Sequence, residues 1–164
     1  MKNFQPFHGM ITMIDDFWID ESGEGAGCYK LMSVENEYGN SVVNFVVAPT
    51  TYFVNHVTMA IGDMVTGFYD ANAAVPLIFP PQFRAIVMAR DSLYQNVKVD
   101  YFNNQLVSSD NNLKLNIAPW TQIVLENDQS FTKNISNRNL IVVYGATTRS
   151  IPAQTSPYKI VVMC

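Results

Sequence analysis

Two stretches of this chain echo each other. Residues 62–90 read GDMVTGFYDANAAVPLIFPPQFRAIVMAR, and residues 138–164 read RNLIVVYGATTRSIPAQTSPYKIVVMC. Tyr69 matches Tyr144 at an offset of 75, and Phe83–Met88 matches Tyr158–Met163 at the same offset. Pro76 falls against Pro152 after a slip of one residue. Upstream, Ala48-Pro49 answers Ala118-Pro119, and Thr51 answers Thr121 at an offset of 70. An echo of this kind requires that two segments fold alike, so it is read before anything else.

The segments themselves read as strands. Short runs of Val, Ile, Tyr, Phe and Thr are bounded by Asn, Asp, Gly or Pro, which is the strand signature. No window shows a capped helix with a 3.6-residue period. The pattern predicts strands over 8–19, 28–34, 41–47, 51–55, 64–69 and 83–90, with only 56–63 open to a helical turn. In the second half it predicts strands over 96–102, 105–109, 113–117, 140–144 and 158–163. Pro49 and Pro119 have no N–H for a ladder, so pairing should change at each.

Each half is then a three-strand meander, a proline break, a connector, and a final pair joined by a proline-rich loop. Five strands in that order are the plan of an OB-type barrel. The expected fold is all-β: two tandem OB-like β-barrel modules related by internal duplication, 1–90 and a shorter 91–164. One larger β-sandwich with an internal two-fold is the alternative.

Composition narrows the partners. Charged residues make up 15% of the chain, against about 25% in ordinary domains. Either an extensive protein contact or an Asn-rich polar surface accounts for this. A net charge of −4 argues against phosphate-driven nucleic-acid binding, which favours basic domains. The start, MKNFQPFHGMITMIDDF, has no signal-peptide pattern, and no apolar run approaches the roughly 20 residues of a membrane span. A cytoplasmic location without a membrane follows as the expectation. Asn134-Ile135-Ser136 matches a glycosylation sequon with no secretory signal to make it meaningful. Cys28 and Cys164 lack metal-ligand spacing and are expected to be free thiols.

The matched proline-rich loops are the functional candidates. Asp70–Gln82 is an excursion of 13 residues whose apolar part, Val75–Phe79, is stiffened by Pro76, Pro80 and Pro81. Proline fixes φ and lowers the entropy lost on binding. Tyr69 and Phe79 supply flat apolar faces, and Gln82 an amide. In the second loop Tyr144, Arg149 and Gln154 stand in a comparable setting beside Pro152 and Pro157. The blander reading makes both loops rigid crossovers that seal a barrel end. Tyr52, Phe53, Phe68, Tyr69, Phe79 and Phe83 lie close together in sequence; such residues can stack bases, though filling a core is the commoner use.

Other chemistry is thin. Asp15, Asp16, Asp20, Glu21 and Glu24 gather acid in one turn but lack the ordered spacing of a calcium loop. His8 and His56 have no Cys, Asp or Glu pattern beside them that specifies zinc. No Ser sits in a Gly-x-Ser-x-Gly turn. No metal and no organic cofactor is expected.

The segment Thr148-Arg149-Ser150-Ile151-Pro152-Ala153-Gln154-Thr155-Ser156-Pro157 resembles a T-x-S-I-P-x-Q-x-x-P pattern found before the last strand of small bacterial OB-like β-barrel domains. The resemblance covers about the last third of each half. It implies a fold and a bacterial origin. The group has no established activity, so no catalytic residue is carried over.

The reading that results is a non-enzymatic binding or assembly protein, acting through a homo-oligomer or a protein partner. Single-stranded nucleic-acid or oligosaccharide binding is the second reading, and an enzyme with an unrecognised site the third.

Overall fold

A computed structural model describes residues 2–17 and 25–164. Asp20, Glu21 and Glu24 of the acidic turn, and the end of the first expected strand, lie outside the described residues. The described chain is all-β, as expected, with one 3-10 turn at Val54–His56 and no α-helix. It divides into two compact units, Met1–Asp91 and Ser92–Cys164.

The first unit holds β1 (Phe4–Asp16), β2 (Lys30–Glu35), β3 (Val42–Val47), β4 (Tyr52–Phe53), β5 (Met64–Asp70), β6 (Gln82–Arg84) and β7 (Val87–Arg90). They form one sheet in the order β4-β7-β5-β1-β2-β3-β6. The long strand β1 is shared. Its first part, Phe4–Met10, pairs with β5, and Met10–Asp16 pairs with β2, with the register shifting between Ile11 and Met13. Gly9 stands at the handover. A Cβ there would lie 2.1 Å from the carbonyl oxygen of Glu35, so only glycine lets the end of β2 come that close.

The strand expected over 83–90 is broken at Ala85-Ile86, and the break has a purpose. Ala85 donates its N–H to Val46 of β3 at 3.0 Å, and Ile86 donates to Phe68 of β5 at 2.8 Å. Successive N–H groups on a strand point to opposite sides. β6 therefore pairs in parallel with β3, while β7 pairs antiparallel with β5. The hydrogen-bonded path β1–β2–β3–β6/β7–β5 returns to β1.

The second unit holds β8 (Asn96–Phe102), β9 (Leu113–Leu115), β10 (Gln122–Leu125), β11 (Arg138–Tyr144), β12 (Ala153–Thr155) and β13 (Lys159–Val162). Here the sheets are divided into β10-β13-β11-β8 and β12-β9. Three residues account for much of the division. Pro157 occupies the place of Ala85 and has no N–H to give. The strand expected over 105–109 is reduced to bridges at Val107 and Ser108, because Leu106 and Asn111 take positive φ on either side. The picture of two like five-stranded modules is thus replaced by one continuous sheet and one divided pair.

The pairings nonetheless correspond. β4 runs parallel to β7, and β10 parallel to β13. Ile86 donates to Phe68, and Tyr158 donates to Val143 at 2.9 Å. Tyr69 and Tyr144 each directly follow the acceptor residue of that bond. The last strands do not follow the offset between these two tyrosines. Ile86 falls with Tyr158, an offset of 72, so Phe83 corresponds to Thr155 rather than Tyr158. Pro80, not Pro76, corresponds to Pro152, and both Phe79-Pro80 and Ile151-Pro152 are cis. The likeness of FRAIVM to YKIVVM is one of composition and not of register.

Each unit has its own core. Ile11, Val34, Phe45, Val65 and Met88 are fully buried in the first. Phe102, Leu140, Val142, Ile160 and Val162 are fully buried in the second. Each such side chain contributes about 1.5–3 kcal/mol by leaving water.

Candidate functional site: the proline-rich loops

The connection from β5 to β6 presents an exposed apolar surface. Residues 71–83 carry no charge. Val75, Leu77, Ile78 and Phe79 are all exposed, Leu77 to 101% and Phe79 to 92%. Asp70 anchors the start: its carboxylate accepts from the backbone N–H of Asn3 at 2.9 Å and of Asn72 at 3.0 Å. The Asn3 hydrogen bond, chiefly, holds this carboxyl below the usual carboxylate range. At the far end Asn44 donates its N–H to the Pro81 carbonyl at 2.9 Å. The loop is fixed at both ends and presents apolar side chains between them.

The other candidates of this loop point elsewhere. Tyr69 stacks on Phe83 with ring centroids 4.0 Å apart and planes 7° off parallel. Phe45 lies 6.3 Å from Tyr69 and Phe7 lies 6.5 Å from Phe45. Tyr69, Phe83 and Phe7 pack against the core, so one face of each ring of the stack is spent on its neighbour. Gln82 is half-buried and sits opposite Asn44 in the β3–β6 pairing. Of the residues singled out in sequence, Phe79 alone stands on the exposed apolar tip. Leu77 and Ile78 belong with it, and the apolar run Val75–Phe79 was the signal.

The loop of the second unit is polar. Gln154 accepts from the Asn116 amide at 3.1 Å and donates its N–H to Thr148 Oγ1 at 2.9 Å. Ser150 donates to the Pro152 carbonyl at 2.8 Å. Arg149 is exposed, and Ile151 is exposed to 86%. Tyr144 is half-buried, its hydroxyl pKa raised by burial and by the charge of Asp110. Asp110 is itself an ion-pair partner of Lys98. Burial pushes the Asp110 carboxyl up, but hydrogen bonds from Lys98, Ser108 and the Asn112 backbone outweigh it and hold it below the usual range.

His8 joins a cluster that spacing did not reveal. Its Nε2 lies 2.8 Å from Asp91 and its Nδ1 lies 3.1 Å from Glu37. The carboxylates approach opposite sides of the ring, so they do not converge on one point where a cation would sit. Among the described residues no group of three or more His, Cys, Asp or Glu side chains is arranged to hold a metal. The partners are 83 and 29 residues from His8, and only the sheet topology brings them together. Cys28 and Cys164 are exposed and form no disulfide. Among the described residues no helix is long and apolar enough to cross a membrane.

No family model, curated protein or solved structure matches the chain.

Proposed function

We propose that this chain is a non-enzymatic contact module whose first unit presents the Val75–Phe79 loop to another protein surface, either a second copy or a partner. One observation carries the reading: four exposed apolar side chains on a stretch of 13 uncharged residues, 71–83, tied down at both ends. Monomeric domains rarely expose contiguous apolar surface of this kind, and where they do it marks an interaction site. Prolines and end anchors cut the ordering entropy that a floppy loop would lose on binding.

The finer architecture that supports the loop is read as OB-type. The returning path β1–β2–β3–β6/β7–β5 has the strand order of such a barrel. The corresponding bonds of Ile86 and Tyr158 favour a second unit derived from the same plan by duplication. A single-strand or sugar platform is less well served: the Tyr69–Phe83 faces are turned on each other, and net charge −4 opposes phosphates.

The test is a photo-crosslinking amino acid placed at position 79 and, as a control, at Asn104, in the chain as expressed in cells. Discrete protein adducts at 79 that are missing at 104 are the expected result. Equal labelling at the two positions overturns the contact reading.

A further inference from the structure

The first unit also carries a cleft that fits what its loop presents. Met10 and Met64 face each other across β1 and β5 and line a depression of about 360 Å³. Glu35, Asn36, Glu37 and Gly39 complete it. Methionine walls adapt to an entering side chain and favour contact with an aromatic ring. The acidic rim does not repel such a guest. Glu37 is drawn to His8 at 3.1 Å, and Met10 is exposed to 43%.

Knob and cleft cannot meet within one chain. Met64 begins β5 and the loop follows Asp70 at its other end. Six residue steps at about 3.3 Å each separate them by roughly 20 Å along the strand. A surface knob and a pocket placed apart on the same molecule make a head-to-tail contact between copies. We infer that the Leu77–Phe79 tip of one copy seats in the Met10–Met64 cleft of the next. The occupant is a second copy because this chain itself carries what the cleft takes: an uncharged, convex, apolar tip for a concave cleft with two methionine walls and a polar rim. The net charge of −4 repels like copies only weakly, and salt screens that repulsion within about 8–10 Å.

This inference rests on the contact reading above, and its test separates the two. Light scattering is run over a concentration series on the wild type, on a knob variant (Leu77→Ser with Phe79→Ser) and on a cleft variant (Met10→Gln). Met64→Gln serves as a second cleft variant, and circular dichroism checks that all are folded. The wild type should at least double its mass from 18.4 kDa, and each variant should stay monomeric. An equimolar mixture of knob and cleft variants should form a two-chain species, since each supplies the half the other lacks. A mixture that stays monomeric overturns the inference, as does a cleft variant that associates like the wild type. A monomeric wild type that crosslinks at position 79 to a different protein overturns it too, but leaves the contact reading standing. Pelleting of a monomeric wild type with neutral phosphatidylcholine vesicles assigns the tip to lipid and overturns both.

Discussion

The ring of Phe45 occupies the space that a Cβ on Gly67 would need: Cζ, Cε2 and Cε1 lie 2.5, 2.6 and 2.9 Å from that position. Phe45 is on β3 and Gly67 on β5, and the ring spans the core between them, fully buried. In the second unit two side chains of middle size stand in the matching places. Leu115 stands in the place of Phe45 and Val142 in the place of Gly67, both in the core. A large and a vanishing side chain are exchanged for two of middle size, which conserves the volume that a close-packed interior requires.

Gly67→Ala is therefore expected to destabilise the first unit. Alanine in a strand gains roughly 0.5–1 kcal/mol over glycine from backbone entropy. Overpacking costs about 1–3 kcal/mol, and the buried ring meets the new methyl group with three atoms, so overpacking wins. Phe45→Leu with Gly67→Ala shrinks the ring where the new methyl group needs room, so it should cost less than the sum of its parts. Urea unfolding of the two single variants and the double variant measures the coupling. Simple additivity would refute the packing account.

Thr51 and Thr121 make a second matched pair. Thr51 Oγ1 accepts from the Ala48 N–H at 3.0 Å and donates to the Ala85 carbonyl at 2.8 Å. Thr121 Oγ1 accepts from Ala118 at 3.1 Å and donates to the Pro157 carbonyl at 2.7 Å. Thr→Val keeps the shape and strands both backbone groups, at a cost of about 1–3 kcal/mol. The loss should be larger at Thr51, where Ala48 and Ala85 are both buried, than at Thr121, where Ala118 is half-exposed. Thr→Ser should restore most of it at each site. A valine as stable as threonine at position 51 would show that water replaces the bonds.

The pair was legible in sequence because Ala-Pro and Thr recur with fixed spacing inside a short break. The closing strands were not. Residues 83–88 and 158–163 share an apolar alternation, and alternation fixes which face is buried but not which residue opposes which. The break at Ala85-Ile86 was hidden too, since nothing in an apolar run announces that two neighbouring N–H groups will bond to different strands. Pro157 was visible as a proline, but its effect depends on the bond that Ala85 makes in the other unit. The exposed tip was read from Val75–Phe79 and its prolines. The cleft opposite was not, because Met10 and Met64 meet only through the register of β1 with β5.

Tip and scaffold should separate in stability measurements. Leu77→Ser with Phe79→Ser removes side chains that touch little of their own chain, and the stability of the monomer should move by less than about 0.5 kcal/mol per site. Phe83→Ala removes a half-buried ring from the stack on Tyr69. Full loss of a buried Phe costs about 3–5 kcal/mol, so a half-buried one should cost roughly 2 kcal/mol. Equal stability losses in the two variants would mean that the tip is packed against its own unit.

The ends of the pH range should report on Asp110. Its carboxyl is held low in the folded chain, so it binds a proton less readily folded than unfolded. The stability it contributes is present above the ordinary carboxylate value near 3.8 and is lost as pH falls through the lowered value. The pair with Lys98 is partly exposed, 22% and 40%, so its share is about 1 kcal/mol or less. Tyr144 works with the opposite sign. Burial first, and then the Asp110 charge, raise its hydroxyl above the ordinary value of 10.0. The folded chain therefore keeps that proton longer, and the stability it contributes is present below pH 10 and lost as pH rises through the raised value. Asp110→Asn should make the acid limb of urea stability less steep and bring the Tyr144 ionisation down. A UV-absorbance titration, with Tyr144→Phe subtracted to isolate that one tyrosine, measures the second effect. Because burial is the larger cause, the ionisation should fall only part of the way. A full return to the ordinary value would place the whole shift on Asp110, and no movement would place none of it there.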